Sequence, residues 1–481
     1  MSLFLVITIV IYFLFLLIIG YFSSKKIDIN EDFAIAGRRL NPLLLACTLA
    51  ATEIGIGSSL GVFEKAYGNW GLSASWYILS MGIAFIILSI FAPKFRKSEV
   101  KTVPEYFRRR YGSKSGLIAA VLMIFPLLIL AVIQLVAAGK LLSIFLGLDY
   151  KITVSIIAFI IIFYLVLGGL WSTVYTDLFQ LILTVVGLFL VFIYSIRLCS
   201  NLPRALSKLP LKSLDLFNGI TPATIVALVI MYITTFTVGQ EVSVSFYSIK
   251  HSYNSSKGSI LASFIIVAFA FIPTFLGLIT LALEHVGYLD ISIIFKDGVT
   301  YALPYLALQT MPNFVIGILF VSIISVVISS ADSDILAIGT IFANDIYKVY
   351  IDKKATTKEV LFTSRLSVIV FGLVVYLLAL FNSGSIIEVL IFVFSLRAAG
   401  AFFPYMFGLY WPKSSSVGAN ASLIIGSLSF IILKMCHIEL FKIEPIIISL
   451  VFSLISFLIF SKKFPPLIET VELVDEENII L

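Results

Sequence analysis

The sequence predicts an all-α polytopic membrane protein of about thirteen transmembrane helices, ten of them forming a 5+5 inverted repeat. Three observations predict it. The chain has 481 residues, of which 60% are hydrophobic and only 12% charged, with a mean hydropathy of +1.10. A soluble domain carries roughly twice that charge. Apolar stretches of spanning length then recur along the whole chain, and no polar run between them is long enough for a soluble domain. Finally, two of these stretches, five spans apart, are interrupted at mid-length by glycine and polar residues. That is the pattern of an inverted repeat with its binding site between two broken helices at mid-membrane.

The first apolar segment, 2–22, runs into Tyr21-Phe22-Ser23-Ser24-Lys25-Lys26 with no small-residue cleavage site, so it reads as a retained helix. Residues 1–30 are therefore a peripheral helix and its loop. A core over 31–412 holds the two repeats, about 40–198 and 222–410, with spans near 40–63, 70–92, 116–146, 152–170 and 174–198, then 222–248, 258–283, 313–347, 361–382 and 386–410. Two peripheral helices, 417–437 and 444–461, occupy 413–461, and 462–481 is a short tail. Several stretches exceed one bilayer crossing, so tilt or breaks are expected.

Basic residues set the orientation. With the N-terminus outside, the loops carrying Lys25, Lys26, Arg38 and Arg39, the run from Lys94 to Lys114, Lys250 and Lys257, Lys348, Lys353, Lys354 and Lys358, Lys413, and Lys462 and Lys463 all fall inside, with the C-terminus. Outside fall Lys65, Lys151, Arg197, Arg204, Lys208, Lys212, Lys296 and Lys442, fewer by more than twofold. The net charge of +6 thus reflects loop topology and gives no ground for nucleic-acid binding. Cys47, Cys199 and Cys436 show no metal or paired spacing and read as small buried apolar residues. His251, His285 and His437 fall singly at helix ends, which argues against a metal or relay cluster. Neither a nucleophile–base constellation nor a nucleotide loop is evident, so no enzymatic chemistry is expected and no cofactor.

Polar residues inside the spans carry the functional signal, because a hydroxyl or carboxylate in hydrocarbon is costly without a partner. The ninth span contains Ser329, Ser330, Asp332, Ser333 and Asp334. Val326, Ser329, Ser330 and Ser333 recur at helical spacing and share one face, offering oxygen ligands suited to a hard cation. Serines bonding back to their own helix carbonyls are the plainer alternative, but they leave the two carboxylates unexplained. In the second span Gly55, Gly57, Ser58, Ser59 and Gly61 interrupt an apolar run; in the seventh Thr234, Thr235, Thr237, Gly239, Gln240 and Glu241 do so. Glycine frees backbone carbonyls where a helix unwinds, although close helix packing by small residues gives the same pattern.

Four passages, in order and spacing, resemble the sodium/solute symporter family over about residues 28–435. They are Asp32-Phe33-Ala34-Ile35-Ala36-Gly37-Arg38-Arg39, then Thr102-Val103-Pro104-Glu105-Tyr106, then Gly168-Gly169-Leu170-Trp171 running on to Gln180, and lastly 329–347 joined to Gly408-Leu409-Tyr410-Trp411-Pro412. The resemblance implies a LeuT-like core with Na⁺ as coupling ion and a small organic solute as cargo. It also implies a sodium site made by the carbonyls of Ala51, Ile54 and Val326 with the hydroxyls of Ser329 and Ser330. Asp177 matches an acidic residue used by some members for a second ion or for coupling. Its alternatives are a helix cap or a pairing with a loop cation. Asp332 and Ser333 lie near enough to join it. Glu53 aligns with a carboxylate that supports ion binding in the sodium–proline branch; alternatively it carries a proton, or it pairs with Arg397.

Arg397 should face the bundle interior and meet a carboxylate: Glu53, Glu388 or the solute itself. The solute group is expected from Gly55, Gly57, Ser58, Ser59, Gly239, Gln240, Glu241 and Arg397. A hexose is disfavoured by Gly239-Gln240-Glu241 where the sugar branch has Asn-Gln-Tyr, and proline by Gly57 where the proline branch has tryptophan. Arg397 favours a carboxylate-bearing solute. Lys140 and Lys434 read as snorkelling or lining an internal contact. The expected activity is sodium-coupled import by alternating access, by a monomer in the plasma (bacterial inner) membrane. The competing readings are a proton-coupled or uncoupled carrier and a membrane solute sensor, the short tail arguing against the last.

Overall fold

The computed structural model describes residues 3–198, 207, 209–286, 301–381, 386–436 and 443–466. Cys199, His437, Arg204, Lys208, Lys296, Lys442 and the tail past 466 lie outside the described residues. Helices follow one another without a strand among the described residues: α1 (Leu3–Ser24), α2 (Asn30–Ile35), α3 (Pro42–Glu53), α4 (Val62–Tyr67), α5 (Trp76–Lys97), α6 (Val103–Tyr111), α7 (Ser113–Leu146), α8 (Tyr150–Leu198), α9 (Pro222–Val238), α10 (Gln240–Tyr247), α11 (Tyr253–Val286), α12 (Ala302–Thr310), α13 (Asn313–Ile341), α14 (Thr357–Ala379), α15 (Ile386–Tyr410), α16 (Ser416–Met435) and α17 (Pro445–Lys463).

The expected interruptions are where backbone periodicity fails. α3 ends at Glu53, a π turn runs over Gly57–Gly61, and α4 continues at 61° to α3. α9 ends at Val238, and α10 resumes after Gly239 at a bend of 55°. Among the described residues ten helices are long and apolar enough to cross a bilayer, and these two bent pairs bring the number to twelve. α8 has 49 residues, which at 1.5 Å each extends about 73 Å, more than twice the hydrocarbon thickness of about 30 Å. It breaks at Gly169, with φ 49° and ψ −138°, the point where the sequence expected one span to end and another to begin.

Gly169 cannot be replaced cheaply. Its conformation is essentially glycine-only, and a Cβ there would lie 2.5 Å from the Phe33 carbonyl oxygen. Gly169→Ala is expected to destabilise the protein by about 1–3 kcal/mol, read as a lowered thermal midpoint by tryptophan fluorescence in detergent. An unchanged midpoint would mean that the backbone relaxes freely at this turn.

α13 is the central element and is almost wholly buried. It packs against α7, α8, α14 and α1. α5 packs on α9 and α11, and α3 on α8 and α11, while α16 and α17 form a pair laid against α15. Passages distant in sequence clamp one another at one end of the bundle. Thr102 caps α6 by accepting from the Glu105 N–H at 3.0 Å, and Glu105 reaches back to accept from the Lys101 N–H, just before the cap, at 2.8 Å. Arg110, at the end of that helix, donates to the carbonyls of Gly408, Trp411 and Pro412 at 3.0–3.1 Å. Asn30 donates to Asn344 Oδ1 at 2.9 Å and accepts from the Ser364 hydroxyl at 2.7 Å. Desolvation opposes charge on the loop residue Glu31. The Arg38 hydrogen bond, with the charges of Lys101 and Arg38, outweighs it and holds the carboxyl below its ordinary range.

Cys47 is buried as expected, but Cys436 is exposed. It stands one residue past the end of α16, where the helix no longer shields it. His251 and His285 are exposed.

Candidate ion and solute site between two broken helices

α13 presents its serine face to the broken end of α3. The Ser329 hydroxyl donates to the Ala51 carbonyl and to that of Val326, both at 3.0 Å. Ser330 donates to the Thr52 carbonyl at 2.9 Å and to Val326 at 3.4 Å. The two sequence readings of these serines therefore hold together: each bonds back into its own helix and also across to α3. Ile54, buried at the end of α3, has ψ 71°, which turns its carbonyl out of the helical direction. Ala51, Val326, Ser329 and Ser330 thus meet at one point, with Ile54 at the adjoining break. Gly55 lets the chain pass, since a Cβ there would lie 2.6 Å from Ser330 Oγ and 2.9 Å from Gln134 Nε2.

Thr52 and Gln134 belong to this point and were not read from the sequence. Gln134 Oε1 accepts from the Ile56 N–H at 3.3 Å, replacing a helical acceptor lost at the break. A lone amide within the apolar 34-residue α7 is the signal that marks it. Ser58 and Ser59 serve the break as well. Ser58 donates to the Glu53 and Gly55 carbonyls at 2.9 and 3.2 Å, and Ser59 to the Gly55 carbonyl at 2.8 Å. Their hydroxyls bond to the unwound backbone and so support the break. Gly57 abuts Leu390 and the Tyr77 hydroxyl, with its missing Cβ 2.5 and 3.0 Å from them.

A second polar group lies behind the first. Tyr164 donates to Asp332, and Ser333 donates to Asp332 Oδ1 at 3.3 Å and faces Thr52 Oγ1 at 3.4 Å. Asp177 is fully buried inside α8, with Asp332 and the Thr48 hydroxyl beside its carboxylate and no cation paired with it among the described residues. It is neither a helix cap nor paired with a loop cation, the two alternatives the sequence left open. Tyr164 had no signature in the sequence, being one tyrosine among many.

Arg397 is fully buried on α15 and finds its carboxylate in α10. Both terminal nitrogens donate to Glu241, at 2.8 and 2.5 Å, and Nε donates to Thr235 Oγ1 at 2.7 Å. The partner is neither of the two side chains that the sequence suggested: Glu388 is exposed, and Glu53 makes no bond to the guanidinium. The break at Gly239 admits the pair, since a Cβ there would lie 2.8 Å from Arg397 Nη2. With its charge met by Glu241 and its Nε held by Thr235, Arg397 gives a carboxylate-bearing solute less support than the sequence suggested. Gln240 also turns away from the solute region. It accepts from the Val103 N–H at 2.7 Å and donates to the Lys101 carbonyl at 3.3 Å, tethering α10 to the basic loop.

A model of the sodium:solute symporter family matches residues 33–426, which include both broken helices and the serine face. The chain belongs to the sodium:solute symporter family. It is 25% identical to the sodium/pantothenate symporter of Haemophilus influenzae, over 98% of this chain and 99% of that one. It is 25% identical to the osmoregulated proline transporter OpuE of Bacillus subtilis over 90% and 89%, and 27% identical to sodium/proline symporter 2 of Staphylococcus saprophyticus over 89% and 85%. Among solved structures, a Na⁺-coupled sialic acid symporter in a substrate-bound outward-open state superposes with a TM-score of 0.80, at 17% identity, over 96% and 98% of the two chains. MhsT in complex with L-phenylalanine gives 0.54 at 14% identity, over 86% and 98%. The LeuT-like fold expected from the sequence is thereby established. This family member is a multi-pass integral membrane symporter for a small organic solute, and not an enzyme.

Proposed function

We propose that Na⁺ occupies the point where Ala51, Ile54, Val326, Ser329 and Ser330 converge, and that its binding draws α3 against α13 before the solute is carried inward. The observation that carries this reading is the pair of serine hydroxyls reaching across to the Ala51 and Thr52 carbonyls at 3.0 and 2.9 Å. A hard cation takes such oxygens from unwound helices and hydroxyls together. Glu53, Asp177, Asp332 and Ser333 form a second ion or coupling group, supported by the full burial of Asp177 and Asp332 without a cation paired to either among the described residues. The solute sits by Gly55, Gly57, Gly239, Glu241 and Arg397, between the two bent pairs, and moves by alternating access. The driving force is about 2.3 kcal/mol per charge for each 100 mV, plus the ion's concentration ratio.

The proposed topology has thirteen spans, counting α8 as two at Gly169. Ten helices over 31–412 are the transporting core, and α1, α16 and α17 are peripheral. The N-terminus lies outside and the C-terminus inside a bacterial inner membrane, with one chain as the working unit. The positions of Lys94, Arg96, Lys101 and Arg108 on one side support this orientation.

Uptake into proteoliposomes at fixed pH, with Na⁺ replaced by K⁺, tests the reading. Accumulation should fall to the passive level without Na⁺. Undiminished accumulation would instead support proton coupling, for which Glu53 supplies a carboxylate without a hydrogen-bond partner among the described residues.

A further inference from the structure

Helix α1 buries one face, Ile9, Tyr12, Phe13 and Leu16 at helical spacing, and packs against α8 and α13. One aromatic hydroxyl stands at mid-length on that face. Tyr12 is 4% exposed, and its hydroxyl accepts from Gln180 Nε2 of α8 at 2.8 Å. Gln180 is itself 1% exposed. The other branch of its amide, Oε1, is buried without a hydrogen-bond partner among the described residues. A buried acceptor left unmet lowers stability, so its retention asks for a purpose. Two turns further along α1, Gly20 lies against Tyr164, where a Cβ would come within 2.7 Å of the tyrosine Cβ. Tyr164 in turn donates to Asp332. The same face of α1 therefore braces α8 at two polar side chains.

Helix register places Gln180 with respect to the ion point. It lies three residues from Asp177 on α8, so the two share a face. The contact of α8 with α13 is fixed just beyond it. Ser322 donates to the Leu183 carbonyl at 2.7 Å, and Thr184 donates to the Ser322 carbonyl at 3.3 Å. Gly187 makes room there, since its missing Cβ would lie 1.8 Å from Ser322 Oγ. Past Gly169, α8 runs antiparallel to α13 in the proposed topology, and both rise about 1.5 Å per residue. Moving from Thr184 to Gln180 and Asp177 therefore matches moving from Ser322 to Val326 and Ser329. The amide thus faces the turn of α13 that carries the proposed ion ligands. The proximity of Asp332 to Asp177 agrees with that register.

We infer that Tyr12 is a positioning residue for Na⁺ binding: its hydroxyl holds the Gln180 amide so that Oε1 stays in the seam between α8 and α13, one turn from Asp177 and level with Val326. This rests on the sodium reading above and deepens it, because α1 lies outside the ten-helix core. A carbonyl oxygen already fixed in place meets a hard cation without first giving up rotamer freedom. Without the tyrosine hydroxyl the amide is free to turn, and Nε2 loses its buried acceptor. A helix outside the repeats would then set the ion affinity of the core.

Binding of radioactive Na⁺ to the purified full chain tests this, with NaCl exchanged against KCl at constant ionic strength. Tyr12→Phe keeps the ring and removes the hydroxyl. It should raise the half-saturating Na⁺ concentration by about threefold or more. Thr184→Ala loosens the same seam without touching Gln180 and should leave that concentration unchanged. In a Gln180→Leu background, Tyr12→Phe should add nothing, because the hydroxyl acts through the amide. Should Tyr12→Phe fail to fold, Gln180→Asn takes its place: shorter by one methylene, it cannot reach the hydroxyl, and the same rise is expected. An unchanged half-saturation in the variant that folds overturns the inference. So does an equal rise in Thr184→Ala, or a Tyr12→Phe effect that persists in Gln180→Leu. A wild-type chain that binds no Na⁺ sinks the sodium reading and this inference with it, whereas a wild type and variants that bind Na⁺ alike sink this inference alone.

Discussion

Ser329→Ala is expected to raise the Na⁺ concentration for half-maximal uptake by about tenfold or more, and Ser330→Ala by a similar factor. Each removes one oxygen from a buried set, and such a loss is worth about 1–3 kcal/mol, while a tenfold change is 1.4 kcal/mol. The maximal rate at saturating Na⁺ should fall less than the apparent affinity, because the bridge from α13 to α3 is restored once the ion binds. Ser325→Ala is the control. Its hydroxyl belongs to the same helix and is buried, but it makes no bond across to α3. A sodium midpoint that moves no further in Ser329→Ala and Ser330→Ala than in Ser325→Ala would place the ion elsewhere.

Arg397→Met is expected to be among the most destabilising single substitutions in the chain. It leaves Glu241 buried and unopposed, for which about 3–5 kcal/mol is typical, with Thr235 losing its donor as well. Arg397→Met combined with Glu241→Gln should recover much of that loss, because removing both charges removes the uncompensated one. Thermal midpoints for the four proteins of this cycle measure the coupling between the two residues. Additive single effects would show that the bidentate contact contributes nothing beyond packing. Arg397→Lys should rescue only in part, since a point charge cannot reproduce the two-pronged geometry.

How much could be read in advance follows from how local each signal is. Val326, Ser329, Ser330 and Ser333 lie within two turns of one helix, so their common face is a matter of periodicity. The glycine-rich breaks are equally local, because Gly55 and Gly239 mark them where they occur. The partner of Arg397 is not local. Glu241 lies 156 residues away, on the far side of a bend, and three other carboxylate-bearing groups satisfied the same electrostatic requirement. The bonds of Ser58 and Ser59 were hidden for a related reason. Composition announces a hydroxyl, but only coordinates reveal that the freed carbonyls of Glu53 and Gly55 consume it. Tyr164 was overlooked because it is one tyrosine among several in α8, and Gln134 because a lone amide names no partner; the meaning of each lies in what it faces.

The hydroxyl protons of Ser329 and Ser330 have a bearing on the return stroke. A symporter that has delivered its load must reorient with nothing aboard, and in that condition the cation no longer ties the two helices. Here the serine O–H groups span the same gap, reaching the carbonyls of Ala51 and Thr52. In the proposed scheme loading turns the two O–H groups aside, each keeping its proton while its oxygen faces the ion, and unloading lets them bridge to the carbonyls again. Threonine at either position should preserve the return stroke, whereas cysteine, with its weaker and longer bridge, should slow it.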